Sequence, residues 1–354
     1  MAEADAKREL ALEAAERAER DAVVATAPAT VRWLLCGRGR PVSASSPEAG
    51  YTVVLAGGRA YALFQDIEAS RVAADERLDE LGYEQVAYAW HEERNAAVDR
   101  LLAGAPALAG AELEAAVAPA RRRLGELEVE RYRAAGADAA QAMVETLGRL
   151  ASGASEQDAA AELAFQARRR GFTTPVVLVG GEERQPVHRH PLPTKAPLGR
   201  HALLAITAER EGLHVSLTRL VSFGAPPAEL AALARTVAEV DAEVLAASRP
   251  AVTLGETFAV LRRAYADRGF PEEWRRHHQG GLTGYEGREV FAVPDEPAIV
   301  PDVAAVAWNP SITGGAKSED TALVTHAGVE VLTRTPALAE LDVDGLPRPG
   351  IAEL

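Results

Sequence analysis

Two histidine pairs and one carboxylate are the residues best suited to chemistry. His188 and His190 lie in "PVHRHPLPT", and His277 and His278 lie in "WRRHHQGGLTGY". Histidine changes charge near neutral pH and is the usual group for moving a proton, while a carboxylate can orient or tune it. Glu319 begins a strand-like pattern in "KSEDTALVT", where a buried carboxylate would need partners. These residues predict a site for general acid–base chemistry.

Each of these residues also has an ordinary structural interpretation. The prolines around the first histidine pair fit a plain loop, whereas the Gly280–Gly281 step after the second pair lets a ligand approach the backbone closely. His214 and His326 stand alone in apolar patterns, which predicts satisfied core residues. Phe64 and Arg71 belong most simply to the start of a helix.

Composition limits the classes of function. A chain of 354 residues is long enough for two domains. The net charge of -14 argues against a nucleic-acid partner, which requires a basic face. Cys36 is the one cysteine, which excludes an internal disulfide and a cysteine-based zinc site. The charged N-terminal segment is unlike a signal peptide, and no apolar run approaches the roughly 20 residues of a membrane span, so we expect a cytoplasmic protein without membrane contact.

The elements of residues 1–125 predict a small α/β domain. Alternating apolar residues on either side of Gly57–Gly58 indicate two strands joined by a turn. The segment 66–82, "DIEASRVAADERLDELG", predicts a helix, and it is followed by the strand pattern "EQVAYAW" and the helix pattern "NAAVDRLLAG".

Residues 126–354 show a different order of elements. Two helical patterns, three apolar strands, two further helical patterns and a strand-rich last third predict a duplicated α+β unit. Ser155 and Asp158 mark the start of the second of these helices, because their spacing is that of a capping box.

Four segments of this second part resemble one known fold family. They are "EVERYRAAGADAAQAMVETL", "HPLPTKAPLGRHALLAITAEREGLHVSLTRLVSFG", "HHQGGLTGY" and "AWNPSITGGAKSEDTALVTHAGVEVLT". In order and spacing they resemble the pita-bread family of methionine aminopeptidases, Xaa-Pro aminopeptidases, prolidases and creatinase. The resemblance implies an N-terminal creatinase-like α/β domain (1–125) and a C-terminal pita-bread domain (126–354) built from a duplicated unit of helices and antiparallel sheet. It also implies a homodimer, in which Phe64 or Arg71 of one subunit could complete the other subunit's site.

The family's peptidases hold two divalent metals with Asp, Asp, His, Glu and Glu. By the resemblance, these five positions are Ala205, Ser216, His278, Asn309 and Glu319 in this chain. Only the histidine and the last glutamate are retained, whereas a pair of divalent ions needs several carboxylates. We therefore expect a member that lacks most metal ligands, with no catalytic metal and no cofactor.

Among family members the pattern is most similar to creatinase, which works without metal. Counting eleven residues back from Gly199 places the catalytic histidine of that enzyme at His188, while matching its His-Pro pair places it at His190; both stay open. Thr218 stands where creatinase has a glutamate, which argues against creatine as the substrate.

The function expected from this resemblance is metal-independent cleavage of a C–N or similar bond by a creatinase-like hydrolase or lyase. His190 or His188 would move the proton, and His278 and Glu319 would bind and polarise a small polar substrate. The expected substrate-binding residues are Asn309, Tyr285, Arg219, His277, Ser216, Phe64 and Arg71. The alternatives are a non-catalytic pseudopeptidase acting as a binding or scaffold protein, and an Xaa-Pro-type metallopeptidase with a rearranged metal site.

Overall fold

The computed structural model describes residues 1–43 and 50–354. These residues form two compact units, Met1–Leu127 and Glu128–Leu354.

The first unit is built on a five-stranded sheet in the order β4-β3-β2-β1-β5. The β1–β2 and β2–β3 pairs are antiparallel, and the β1–β5 and β3–β4 pairs are parallel. The strands are β1 (Ala22–Ala25), β2 (Thr52–Ala56), β3 (Arg59–Gln65), β4 (Glu84–Tyr88) and β5 (Ala107–Ala109). The α-helices are α1 (Ala2–Arg17), α2 (Pro28–Leu34), α3 (Ala69–Arg71), α4 (Arg94–Leu102) and α5 (Gly110–Arg121).

The predicted hairpin is confirmed, but the predicted helix after it is not continuous. Gly57 and Gly58, with φ of 58° and 74°, form the two-residue turn between β2 and β3, a conformation that favours glycine. Residues 66–81 instead form short helical turns, because Arg77 adopts a left-handed φ of 44°. The turn at Arg77 lets the neighbouring Glu76 carboxylate accept hydrogen bonds from the backbone N–H groups of Gly39 and Arg40.

The second unit is an α+β fold in which two helices and their strands are followed by two more helices and theirs. The helices are α6 (Glu126–Leu147), α7 (Glu156–Arg168), α8 (Ala228–Ala247) and α9 (Leu254–Asp267). The strands are β6 (Thr173–Gly181), β7 (His201–Arg210), β8 (Leu213–Ser222), β9 (Gly280–Thr283), β10 (Val290–Phe291), β11 (Ala304–Trp308), β12 (Ser311–Ile312), β13 (Ala316–Lys317), β14 (Asp320–Thr325), β15 (Gly328–Val331), β16 (Glu340–Val343), β17 (Leu346–Pro349) and β18 (Ile351–Glu353). The two larger sheets have the orders β18-β8-β7-β6 and β10-β9-β11-β14-β15.

Helices α7 and α9 both begin with a capping box. Ser155 accepts a hydrogen bond from the backbone N–H of Asp158, whose carboxylate accepts the N–H of Ser155 in return. Thr253 and Glu256 repeat this capping box at α9, so the predicted cap at Ser155 is confirmed. In the described part of the chain, no helix combines the length and apolar character needed to cross a bilayer.

The two larger sheets meet where β8 runs past the start of β14. The backbone N–H of Thr218 donates to the carbonyl oxygen of Glu319 at 3.0 Å. Thr321 ties the same strands together, because its hydroxyl accepts from the backbone N–H of Ser216 at 2.7 Å and donates to the Ser216 carbonyl at 3.1 Å. This junction fixes the backbone of Glu319.

A buried ionic network secures the first residue of β14. Asp320 accepts from Arg219 at 2.8 Å and from Arg348 at 2.8 Å, and Arg348 also binds Asp241 at 2.6 Å. All four side chains are buried. Buried charges of this kind are tolerated only when paired, so the network holds the strand beside Glu319 in one position.

Candidate active site

A cleft of about 560 Å3 opens in the second unit above the junction of its sheets. Its apolar lining comes from Pro175, Val176, Leu178, Leu192, Ala205, Ile206 and Phe291. Its polar lining comes from His190, Thr207, His214, His278, Arg288, Asn309, Lys317 and Glu319. A concave surface whose exposed area is mostly apolar, and on which several polar side chains converge, is typical of a small-molecule site.

Three histidines from two distant segments meet at this cleft and are here called the histidine cluster: His190, His277 and His278. The Nε2 atoms of His190 and His277 lie 2.8 Å apart. The rings of His277 and His278 are stacked, with centroids 4.4 Å apart, and His278 also contacts Phe291 edge-on. The second predicted pair therefore lies beside His190.

All three imidazoles favour the neutral state. Burial lowers the pKa of His277 to about 2, with a further contribution from the charge of Lys317. Burial and the charge of Arg288 lower the pKa of His278 to about 4. The pKa of His190 is also lowered, first because its ring, although exposed, is partly desolvated, and then by the charge of Lys317. Neutral imidazoles offer lone pairs for accepting a proton.

A clasp of one arginine and one glutamate holds the segments that carry the cluster. Arg189 precedes His190 and forms an ion pair with Glu273, which lies four residues before His277. Arg189 also donates to Ser311 Oγ at 3.0 Å and to Thr313 Oγ1 at 2.8 Å. Glu273 in turn accepts the backbone N–H of Thr313 at 3.1 Å. The clasp thus joins the His190 loop, the His277 segment and the turn after β12.

Glu319 lies at the floor of the cleft and is only 4% exposed. Its Oε1 accepts from Arg288 at 3.0 Å, and its Oε2 accepts from Thr218 Oγ1 at 2.7 Å and lies 3.3 Å from Lys317 Nζ. Burial alone would raise the pKa of this carboxyl, but Lys317 and Arg288 lower it to about 2. Glu319 is therefore ionised and already neutralised by two cations, here called the cationic pair.

Two polar atoms at the cleft have hydrogen-bonding capacity to spare. The side-chain oxygen of Asn309 and the Nε of Arg288 are buried and have no protein partner in the described chain. Unpaired buried polar atoms are costly, so a bound molecule that pairs with them would gain affinity.

Several predicted site residues lie away from the cleft. His188 is exposed and lines a smaller depression with Gln185 and Leu203. Tyr285 is buried, and its hydroxyl donates to Glu128 at 2.7 Å. Arg219 is committed to the ionic network around β14.

Other predicted residues have structural contacts of their own. Ser216 is buried and its hydroxyl is 2.9 Å from that of Thr207. Phe64 packs in the core of the first unit against Tyr51. Arg71 bonds Glu68, Glu76 and Tyr51 in that unit, where it lines a separate pocket.

Sequence reasoning missed the cationic pair and misplaced two single histidines. Lys317 could have been found, because it precedes Glu319 by two residues and alternate residues of an extended chain face the same side. Arg288 lies in the loop before β10 and gives no such signal. His214, expected in the core, lines the cleft, and His326, also expected there, is 76% exposed beside Asp302.

One family model matches the second part of the chain. The family model "Metallopeptidase family M24" matches residues 130–326, more than half of the chain. A search of curated proteins finds no match.

Solved structures extend the likeness to nearly the whole chain. The Xaa-Pro dipeptidase from Bacillus anthracis is 19% identical, with a TM-score of 0.73 over 94% of this chain and 98% of that one. Dipeptidase PepE from Mycobacterium ulcerans is 18% identical, with a TM-score of 0.74 over 100% and 99%. The N-terminal domain of FACT complex subunit SPT16 from Cicer arietinum (chickpea) is 11% identical, with a TM-score of 0.65 over 94% and 96%. At these identities the likeness concerns the fold, and the predicted α+β pita-bread architecture is confirmed.

Proposed function

The chain belongs to metallopeptidase family M24, and we propose that it is a metal-independent hydrolase or lyase of small polar molecules. The bond broken would be a C–N or similar bond, and the histidines of the cleft would transfer the proton. The proposal rests on one observation above all: two cations occupy the surroundings of Glu319, the last metal-ligand position of the family.

The residues present do not fit a pair of divalent ions. By the family resemblance, Ala205, Ser216 and Asn309 replace three carboxylate ligands, and none of them carries a charge. The retained Glu319 already binds Arg288 at 3.0 Å and Lys317 at 3.3 Å. A pair of divalent ions would meet these cations instead of the carboxylates that neutralise such a charge. The part of the cleft around Glu319 therefore favours an anionic or neutral group.

The polar and the apolar residues of the cleft would have separate tasks. A substrate carboxylate would bind the cationic pair and the free Nε of Arg288, and the amide of Asn309 would take a second polar group. His190 lies at the mouth of the cleft and is the group proposed to move the proton, with His278 binding the substrate beside it. The apolar lining residues would hold a hydrophobic part of the substrate and exclude water from the reacting bond.

Turnover measurements on chelator-treated protein test this function. The substrates are small amides and amidines that carry a free carboxylate. We expect turnover without added metal and a fall of roughly 10²- to 10⁴-fold in kcat for His190→Ala, the usual contribution of a general acid or base. His188→Ala is the matched control, because His188 lies on the same loop outside the cleft and should keep full turnover. Full turnover of His190→Ala, or turnover that requires a divalent metal, would contradict the proposal.

A second candidate is a non-catalytic binding protein. One structure of the same fold is the N-terminal domain of a FACT complex subunit, so this architecture also occurs in a protein described as part of an assembly. A chain that binds a carboxylate ligand but turns over no member of the substrate panel would favour this candidate.

We also propose that two copies of the chain associate. The family resemblance implies a dimer in which the first domain approaches the partner's site, and Arg71 rather than the core residue Phe64 is the side chain available for such a role. Light scattering after size-exclusion chromatography should give twice the chain mass of 37.5 kDa, and a monomeric mass would refute the dimer.

A further inference from the structure

The nitrogen atoms of the histidine cluster are arranged closely enough to share one ion. One ring nitrogen from each of His190, His277 and His278 falls within 4.8 Å of the other two. The closest pair is 2.8 Å apart. Two imidazole nitrogens on one tetrahedral ion, with bonds of about 2.05 Å, lie roughly 3.4 Å apart. The closest pair is nearer than this value and the limit of 4.8 Å is beyond it, so small movements of the rings would bring the three nitrogens to the spacing of a tetrahedral ion.

The contact between His190 and His277 has an unusual requirement. Two neutral rings can meet at their Nε2 atoms only if one of them carries a hydrogen there. If that hydrogen moves to Nδ1 of the same ring, both Nε2 lone pairs become available to a cation between them. His190 is exposed, so its Nδ1–H can be solvated by water. His277 has a buried Nδ1 without a protein partner in the described chain.

The donor set selects the class of ion. All three donors are neutral nitrogen, which suits late first-row transition metals and is poor for Mg²⁺ or Ca²⁺. The acid that lines the cleft, Glu319, is held by Arg288, Lys317 and Thr218. It is therefore unavailable as a fourth ligand, and water would complete the coordination from the open side.

We propose that His190, His277 and His278 form a binding site for one late transition-metal ion, such as Zn²⁺, Ni²⁺ or Cu²⁺, apart from the two-metal arrangement of the family. Of the three ligands only His278 corresponds to a family ligand position. The Arg189–Glu273 clasp fixes the backbone on both sides of the site and acts as its positioning element. Metal binding at this site is separate from the function proposed above, which requires no metal.

An ion at this site would occupy the imidazole nitrogens assigned to proton transfer. The metal-bound protein should therefore be inhibited, and this consequence, unlike the binding itself, rests on the proposed function. Removal of the ion by a chelator should restore turnover.

Titration of the chelator-stripped chain with Co²⁺ tests the site directly. We expect saturation at one equivalent, with the intense visible absorption of a four-coordinate Co²⁺ ion, and displacement by Zn²⁺. His190→Ala and His277→Ala should each weaken the affinity more than about 100-fold, because loss of a ligand exceeds the 10- to 100-fold cost of losing an outer partner. His188→Ala and His326→Ala change histidines outside the cluster and should bind as the unaltered chain does.

The outcomes separate the two proposals. Absence of one-equivalent binding, or unchanged affinity in His190→Ala, would overturn the metal site and leave the proposed function standing. His190 is exposed, so this variant should fold even if His277→Ala does not, and circular dichroism checks both. Binding that raises turnover would support the site and overturn metal-free histidine catalysis. Binding that abolishes turnover would support both.

Discussion

Replacing Glu319 by glutamine should destabilise the second unit by about 3 kcal/mol at neutral pH. Glutamine keeps an oxygen that can accept from Thr218 but removes the charge opposite Arg288 and Lys317. Both cations would remain in place with little solvent around them, since their side chains are 9% and 5% exposed.

Two estimates of the magnitude agree. The pKa of Glu319 is lowered from 4.5 to about 2. A difference of about 2.5 in pKa, at about 1.4 kcal/mol for each pKa unit, corresponds to roughly 3 to 4 kcal/mol. Breaking a buried ion pair by removing one partner costs about 3–5 kcal/mol. Because the folded-state pKa is the lower one, the contribution is complete above pH 4.5 and is lost as the pH falls through about 2.

Urea unfolding combined with hydrogen exchange of the β8 and β14 amides measures this effect in the second unit. Glu330→Gln is the matched control: it breaks a pair with Arg133 at 2.7 Å whose side chains are half exposed, and it should cost less than about 1 kcal/mol. The difference between wild type and Glu319→Gln should shrink as the pH approaches 2. If Glu319→Gln were as stable as the control variant at pH 7, the assignment of Glu319 as a buried, ion-paired carboxylate would be wrong.

Three further changes test the positioning of the site. Gly280→Ala should abolish soluble expression or greatly lower the melting temperature, because the added Cβ would lie 2.1 Å from the Ala307 carbonyl oxygen at a residue whose φ is +98°. Gly153→Ala is the control: there is open space around Gly153, so the melting temperature should not change. Arg189→Met should speed amide exchange in the His190 loop by at least about tenfold, because a hydrogen bond to a charged group contributes about 1.5–3 kcal/mol, and unchanged exchange would count against the clasp. Glu273→Gln should lower the free energy of unfolding at pH 7 but not at pH 2. The pKa of Glu273 is lowered in the folded chain, so the stability that its carboxylate contributes is present above the ordinary carboxyl pKa and is lost as the pH falls. An equal loss at both pH values would contradict this prediction.

Local signals in the sequence predicted elements whose conformation depends on neighbouring residues alone. The hairpin at Gly57–Gly58 and the capping box at Ser155 and Asp158 are examples, because a turn type and a helix start each require particular side chains within a few positions. The prediction of a single helix over 66–82 was wrong. The chain turns at Arg77, and the Glu76 carboxylate next to it accepts hydrogen bonds from the backbone N–H groups of the distant Gly39 and Arg40.

The same distinction holds for the site. The sequence predicted His190, His278, Asn309 and Glu319, all of which line the cleft. It could not show that Arg288 reaches Glu319 across 31 residues.

Polar side chains that serve the fold were equally difficult to recognise. Tyr285 and Arg219 resemble site residues in the sequence, but each satisfies a buried partner, Glu128 and Asp320 respectively. Spacing along the chain does not indicate which face of a strand a polar side chain occupies or which distant group it pairs with.

The central claim is that the cationic pair, and not a pair of metals, neutralises the acid at the floor of the cleft. Crystals grown with an excess of Mn²⁺ and measured at the manganese absorption edge test it most directly. The account predicts no anomalous peak among Ser216, Asn309 and Glu319, with Arg288 and Lys317 still bound to the carboxylate. Two peaks a few ångströms apart at that position, with the cations displaced, would contradict it.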